Sequence, residues 1–560
     1  MTFRIALATL VLVVLLACGA VFIWYMAYGV GATPDEPSVP VTVAVADVPE
    51  ALNQLGHQHA TYRTWPTLLL RQVAIGKVSE WYGEAGAAVD TRIIQLGFAE
   101  SARASVRNVA GGDAALLRAY SDGVNAALGS DDVRLHAPVI LLDIEPEPWL
   151  PWHTLAVERL ILWLQEPAMT SADSLLQSFV GWSGGLDNAV WSHPDGSVSV
   201  RFLTGSSAIP LLMETEFRLP DGPFMAITIP GTPMIPTGRR NGSAWALLLR
   251  PDMRNVAASG PPDITHRRLS VDGSERLVQR TRREGRPSVM PAPGRDIDWQ
   301  GLAEGTDMPR WLGLWRSLPA DALTSPWSLM RPDGILTTDG SEPAFTGAPF
   351  TTVRSDGWAY ASSRPAAMGP VGILADPPDV RSALISAVAR DSVPVFLAAI
   401  PDSIRRSDAT EQALTYLRNW NFSFDGPEIG ATLYDGIARM PADRPARDRL
   451  EGTVIDLRRR LGSDMSRWRW ADRYPARLAM PGTVPVVPGM RRPLRAFLER
   501  YAPVERLSAG HPTTLRWHHT PEHPATSAWE ATVHADGRLT VRRPDVHYDR
   551  FLGRTVTLDE

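Results

Sequence analysis

Three features of the chain predict an α+β fold in which helices and strands are segregated into layers. Helical periodicity dominates residues 48–128 and resumes at 154–164. Short strands, each ending at Gly, Pro or Asp turns, take over from about residue 188. Helices return between 380 and 461, and residues 528–558 read as strand again. Runs of one element followed by runs of the other point away from regularly alternating βαβ units.

The first element after residue 40 is a strand, because residues 41–46 are rich in β-branched side chains. Leu52, Leu55, His59 and Tyr62 then recur at spacings of three and four, which places them on one helix face. Leu68, Val73 and Val78 extend the apolar pattern towards Trp81. Leu116, Leu117, Tyr120 and Val124 mark a further helix that stops before Gly129. Glu145-Pro-Glu-Pro-Trp149 is a stiff break. Strands are expected at 197–203, 213–219 and 224–229, with a tight loop at Pro230-Gly-Thr-Pro233 and strand texture continuing to about Val278. Helices are expected at 380–393, 408–420 and 445–461, and no internal repeat stands out.

With 560 residues, the ordinary domain size of about 150 residues suggests about four domains. Apolar residues make up 44% and charged residues 21%, which excludes a disordered, collagen-like or polytopic membrane chain. The net charge of -5 offers no broad basic field, so nucleic acid is not an expected partner. One cysteine, Cys18, excludes an internal disulfide and cysteine-rich metal centres.

Residues 5–30 form an apolar run without charge, long enough to cross a bilayer as a helix. Arg4 precedes it and Asp35 and Glu36 follow it, an arrangement that places Met1 in the cytoplasm and the bulk of the chain outside. A cleaved signal peptide and a lipoprotein, through Leu15-Leu-Ala-Cys18, are the competing readings. Residues 31–40 read as a linker.

Several segments, in order, resemble the penicillin acylase family of N-terminal-nucleophile amidohydrolases. They are Ala51-Leu-Asn-Gln-Leu-Gly-His-Gln-His-Ala60 with Arg63, Trp65, Arg71, Gly76-Lys-Val-Ser-Glu80 and Gly83, then Ala119-Tyr-Ser-Asp-Gly-Val-Asn-Ala126 and Glu145-Pro-Glu-Pro-Trp149. Ile229-Pro-Gly-Thr-Pro233 through Gly238, Ala244-Trp245 and Trp468-Arg-Trp-Ala-Asp472 continue the series. The resemblance implies a four-layer αββα core, with 41–186 corresponding to the family's small chain and 187–560 to its large chain. It also implies a precursor that cuts itself so that a new N-terminal Ser attacks an amide carbonyl. The α-amine of that Ser serves as base, and an Asn side chain with a backbone N–H stabilises the oxyanion.

The residues at those positions depart from the pattern. The stretch Gly184-Gly-Leu-Asp-Asn-Ala-Val-Trp191 puts the nucleophile position on Asp187, or on Leu186 if the register slips by one. Neither carries a hydroxyl or thiol, and without self-cleavage no α-amine appears. The oxyanion position falls on Arg240, or on Asn241 one residue later. The family's "NDPH" turn falls on Phe202-Leu-Thr-Gly205, and its "RTRHGP" segment on Arg280-Thr-Arg-Arg-Glu-Gly-Arg-Pro287. The expectation is a membrane-anchored, non-processed pseudoenzyme outside the cytoplasmic membrane. It would bind a small acylated amide or an envelope protein, and it implies no cofactor and no metal.

An active amidohydrolase using Ser183 as a displaced nucleophile is the alternative. Gly181-Trp-Ser-Gly-Gly185 matches the G-x-S-x-G elbow, which needs a strand before it; residues 175–180 are compatible with one. His518, His519 and His523 have metal-like spacing, but Pro521 and Pro524 favour a solvated loop. Of His57 and His59, on different helix faces, one is expected in the core. Trp311 with Trp315, and Trp468 with Trp470, read as core packing.

Overall fold

The computed structural model describes residues 41–109, 111–130, 136–164, 171–180, 189–203, 213–240, 243–249, 260–283, 386–400, 407–424 and 426–473, with shorter pieces between 255 and 557. The apolar run at 5–30 and the linker at 31–40 lie outside the described residues. Among the described residues no helix is long and apolar enough to cross a membrane.

The N-terminal part is helical, as its periodicity requires. It comprises α1 (Val48–Tyr62), α2 (Thr64–Ala74), α3 (Val78–Tyr82), α4 (Ala87–Leu96), α5 (Phe98–Asn108), α6 (Gly111–Leu128), α7 (Ala137–Leu141), α8 (Pro151–Leu164) and α9 (Ser171–Val180). Asp47 starts α1 by accepting from Glu50 N at 2.9 Å, while Glu50 Oε2 reaches back to Ala46 N at 2.6 Å, a reciprocal cap. Helix α8 is buried nearly all round, the mark of a central helix. A strand ending at residue 180 is not what forms: α9 occupies that stretch, so the elbow motif lacks its leading strand.

The strands in chain order are β1 (Val41–Ala44), β2 (Ala189–Ser192), β3 (Val198–Leu203), β4 (Met213–Leu219), β5 (Gly222–Ile229), β6 (Thr232–Arg240), β7 (Ser243–Leu249), β8 (Asn255–Ala257), β9 (Asp263–Val271), β10 (Ser274–Arg283), β11 (Arg286–Pro287), β12 (Arg295–Ile297), β13 (Trp327–Met330), β14 (Leu336–Thr337), β15 (Thr351–Ser355) and β16 (Trp358–Ser362). They are followed by β17 (Ala476–Leu478), β18 (Val504–Arg506), β19 (Ala528–Val533), β20 (Leu539–Arg542), β21 (Val546–Asp549) and β22 (Arg554–Thr557). A seven-stranded sheet runs β1-β4-β5-β6-β7-β13-β14, and a six-stranded sheet runs β15-β16-β2-β3-β19-β20. The expected loop at 230–233 shrinks to a turn at Pro230 and Gly231, because Thr232 already pairs with Ile229.

Helices α1 and α8 pack on β4 and β6 of the first sheet, and β2, β3 and β19 of the second sheet pack on its other face. One apolar core joins these three layers. It includes Leu52 and Leu55 of α1, Phe224 and Ile227 of β5, and Val190, Val198 and Val533 of the second sheet. A second helical unit comprises α10 (Ala387–Ala398), α11 (Asp408–Arg418), α12 (Ile429–Arg439), α13 (Ala446–Leu461) and α14 (Trp470–Arg473), with cores of its own around Leu433, Leu457 and Trp468. Helix α10 begins later than the expected residue 380: Ser386 caps it by accepting from Ala389 N. Residues 380–385 lie outside the described residues.

The motifs that resemble the family are fastened to one another. Asn125 Nδ2 donates to Trp149 O at 2.9 Å, and its Oδ1 accepts from Trp149 N at 2.6 Å. Arg71 lies over the Trp149 ring and donates to Glu147 O at 2.6 Å. Gly231 packs closely against Trp149 and Val157, and its φ of +87° is a backbone conformation that a side chain would strain. His59 is fully buried and bridges two hydroxyls, Tyr120 at 2.8 Å and Thr228 at 2.9 Å. Thr228 donates to Met213 O at 3.1 Å, so it accepts from the Nε2–H of His59, and Nδ1 accepts from the Tyr120 hydroxyl. His57, two residues earlier, is exposed.

Helices α1 and α6 touch through glycines: a Cβ at Gly123 would collide with the Asn53 carbonyl, and one at Gly56 with that of Tyr120. Gly123→Ala is therefore expected to cost about 1–3 kcal/mol through overpacking, despite the better helix propensity of Ala, as read by urea denaturation. Burial lowers the His59 pKa to about 3, with Arg63 adding to the effect, and His153 is lowered to about 3 for the same first reason. The unfolded chain protonates these rings below about pH 6.5 while the folded chain does not. Their contribution to stability is thus complete above that pH and is lost as pH falls towards 3. His59→Gln should reduce the slope of stability against pH between 4 and 6 by about 1.4 kcal/mol per pH unit.

Candidate functional site

Of the residues that the sequence singles out for chemistry, Arg240 is the one the structure describes. Ser183, Leu186, Asp187 and Asn241 lie outside the described residues, as do Trp311, His518, His519 and His523. The chain on both sides of residues 181–188 is described. Before them, α9 is pinned from below by Asp173, which takes Arg92 Nε at 2.8 Å and Nη2 at 2.9 Å, and Trp163 Nε1 at 3.0 Å. Both members of this ion pair are buried. After them, β2 enters the second sheet between β3 and β16.

Arg240 ends β6, opposite Phe224 on β5 and Ser243 on β7. Neighbouring residues of a strand face opposite sides of its sheet. Arg239 points to the second sheet, donating to His534 O and Ala535 O at 2.8 Å each. Arg240 points the other way, to the face that Thr228 shares with His59 of α1. There its guanidinium is 7% exposed. Nη2 donates to Asp221 Oδ2 at 2.8 Å, and Nη1 to the Trp315 carbonyl.

The ring of Phe224 lies 5.7 Å beneath the Arg240 guanidinium carbon. Trp315 closes the arrangement: its ring meets Phe224 edge-on at 4.7 Å, and its Nε1 donates to Pro233 O at 2.8 Å. An oxyanion donor has to be aimed at the place where charge develops. Arg240 has both terminal nitrogens committed to the fold and faces away from the sheet that carries β2. Its chemistry is that of a clamp between the β4–β5 turn, Trp315 and β6. The core reading of Trp315, Trp468 and Trp470 agrees with their burial, each at 1% exposure or less.

The second sheet carries a hydroxyl–imidazole pair with no prior motif. His193 Nε2 lies 2.7 Å from Ser199 Oγ, which lies 2.7 Å from Thr532 Oγ1. The pair has the spacing of a nucleophile and its base, but Ser199 is 1% exposed. Asp195 accepts from Ser197 N at 2.9 Å in the turn and makes no hydrogen bond to the imidazole among the described residues. The same hairpin occurs twice. His193-Pro-Asp-Gly196 and His534-Ala-Asp-Gly537 both close with the Gly N–H on the His carbonyl, and His534 Nε2 pairs with Thr540 Oγ1 at 2.7 Å. The pair is therefore a hairpin closure, and its signal in the sequence is the repeated His-x-Asp-Gly. Among the described residues no cluster of three or more His, Cys, Asp or Glu could hold a metal ion.

Comparison with known proteins bears on the same segments. Residues 35–192 match the family model described as penicillin amidase, a span that includes position 187. Over 110 residues the chain is 38% identical to the penicillin acylase 2 proenzyme of Pseudomonas sp. (strain SE83). That stretch is 20% of this chain and 14% of the relative's length. A thermostable penicillin G acylase from Alcaligenes faecalis superposes with a TM-score of 0.39 at 11% identity, covering 66% of this chain and 96% of that one. Residues 35–192 are thus similar to the penicillin acylase family, and the chain matches only a small part of the length of its curated relative.

Proposed function

We propose that this protein is a non-processed member of its family that binds a ligand and does not hydrolyse it. The observation that carries the reading is Asp187 at the nucleophile position. Self-cleavage needs a hydroxyl or thiol to attack the preceding carbonyl and give an ester or thioester. A carboxylate would give an anhydride, and the uncut chain would lack the α-amine that serves as base. The commitment of Arg240 to Asp221 and Trp315 supports the same reading, because it removes one candidate for the oxyanion donor.

The reading includes a four-layer αββα core, with a further layer over the outer face of the second sheet. The burial of Trp191 and Ser199 on that face supports it. It also includes an anchor at residues 5–30 that holds the rest outside the cytoplasmic membrane, supported by the length of the apolar run and by Arg4 before it. The ligand would be a small acylated amide or an envelope protein.

The test is the state of the mature chain on a denaturing gel. One full-length band is expected; two bands broken near residue 187 would remove the proposal. Aromatic acyl amides and acyl-homoserine lactones should raise the melting temperature without being turned over. Turnover that disappears in Ser183→Ala would establish the displaced-nucleophile alternative instead. Arg240→Met should cost about 2 kcal/mol in urea denaturation, the worth of hydrogen bonds to a charged group. Asp221→Asn should cost about 1 kcal/mol or less, since that carboxylate is partly solvated.

A further inference from the structure

The hairpin β9–β10 turns at Asp272-Gly273 and lays Leu269, Val271 and Val278 on Ala87 and Ile94 of α4. Its cross-strand register pairs Val278 with Arg267, Arg280 with Thr265 and Arg282 with Asp263. The alternation of the strands therefore puts Arg267, Arg280 and Arg282 on the same inner face as those apolar residues, towards the open end of the hairpin.

Two of these guanidiniums, Arg267 and Arg280, meet one carboxylate from the helices, Glu100 in the first turn of α5, and Arg282 lies within its electrostatic reach. Its Oε1 takes Arg267 Nε at 2.7 Å, and its Oε2 contacts Arg280 Nη1. Arg280 is 1% exposed, yet its Nε and Nη2 have no hydrogen-bond partner. Arg282 is half-buried, its Nε is enclosed without a partner, and among the described residues it makes no ion pair. Asp263, cross-strand from Arg282, is the second carboxylate near the cluster, which leaves an excess of positive charge. Burial first, and then the like charges of Arg280 and Arg267, pull the Arg282 pKa down.

Buried donors left unpaired are destabilising, and more so when they are charged. A guanidinium with two free N–H groups in one plane is shaped to take the two oxygens of a carboxylate or phosphate. We propose that the inner face of the β9–β10 hairpin, against the first turn of α5, is a binding site for one small oxyanion. The free N–H groups of Arg280 form its floor, and Arg282 forms its rim. Glu100 and Arg282 remain partly exposed, so the cluster is open to solvent on that side. The site does not depend on the residues at 187 or 240, and occupancy would tie the hairpin to the helical layer.

The experiment titrates the full-length protein, in buffer free of other oxyanions, with inorganic phosphate in one arm and acetate in the other. Sodium chloride keeps ionic strength constant, and calorimetry and the melting temperature are read. Saturable one-to-one binding in either arm is expected, and the arm that responds identifies phosphate or carboxylate as the chemistry recognised. Arg282→Gln should weaken that binding about tenfold, the worth of a lost hydrogen bond to a charged group. Glu100→Gln should tighten it, because the competing carboxylate charge is gone. If Glu100→Gln fails to fold, Arg282→Gln carries the test alone. No saturable binding beyond the chloride control, or binding unchanged in Arg282→Gln, overturns the proposal.

Discussion

The imidazole of His59 is the joint on which the helical layer and the first sheet depend. It links α1 to Tyr120 of α6 on one side and to Thr228 of β5 on the other. The Gly231 backbone, in the turn after β5, also reaches the Tyr120 oxygen. A neutral ring can satisfy both hydroxyls only in one tautomer, and that tautomer is dictated by Thr228 donating to Met213. The joint lies where apolar burial holds the layers together but cannot fix their rotation. Directional bonds supply that register, and a charged imidazole could not, because Nδ1 would then be a donor facing the Tyr120 oxygen that also takes the Gly231 N–H.

The same logic extends outward along the motifs shared with the family. Asn125, Trp149, Arg71 and Gly231 come from four separate segments and meet within one neighbourhood. Their persistence needs no catalytic explanation. Asn125 satisfies the backbone of a Pro-rich segment that has no ladder of its own, and Gly231 gives Trp149 room. These residues answer to packing, whatever stands at the nucleophile position. Their presence is evidence for the frame and is silent on turnover.

How much of this was legible depended on whether a residue's role was local. The face Leu52, Leu55, His59, Tyr62 was readable because helix periodicity is a local property, and it is the face that packs inward. The strands at 213–219 and 224–229 were readable because Pro-Asp-Gly separates them. Helix α12 was not read, for a physical reason. Gly430 and Gly436 depress its intrinsic propensity, and their purpose appears only in three dimensions, where Gly430 lies under Trp420 and Gly436 against Thr453. The stretch 175–180 was open to a strand reading because a short apolar run carries no decisive period. The Asp173–Arg92 pair, which holds it as a helix against α4, is long-range and invisible in sequence.

Arg240 shows the limit most clearly for the site. Counting along the chain places the expected oxyanion position at Arg240 or Asn241 but cannot say which face of the sheet the side chain takes. Arg239 and Arg240 are neighbours with the same chemistry, and pleating alone sends one to the second sheet and the other to the helices. A shift of one residue exchanges those roles, so a functional position carried over by spacing holds only if the register of the strand holds too. At this position the aromatic bed of Phe224 and Trp315 sets the register. A guanidinium seated on the Phe224 ring and held by Asp221 and the Trp315 carbonyl is a fixed part of the wall. Its two terminal nitrogens are already committed, to Asp221 and to the Trp315 carbonyl.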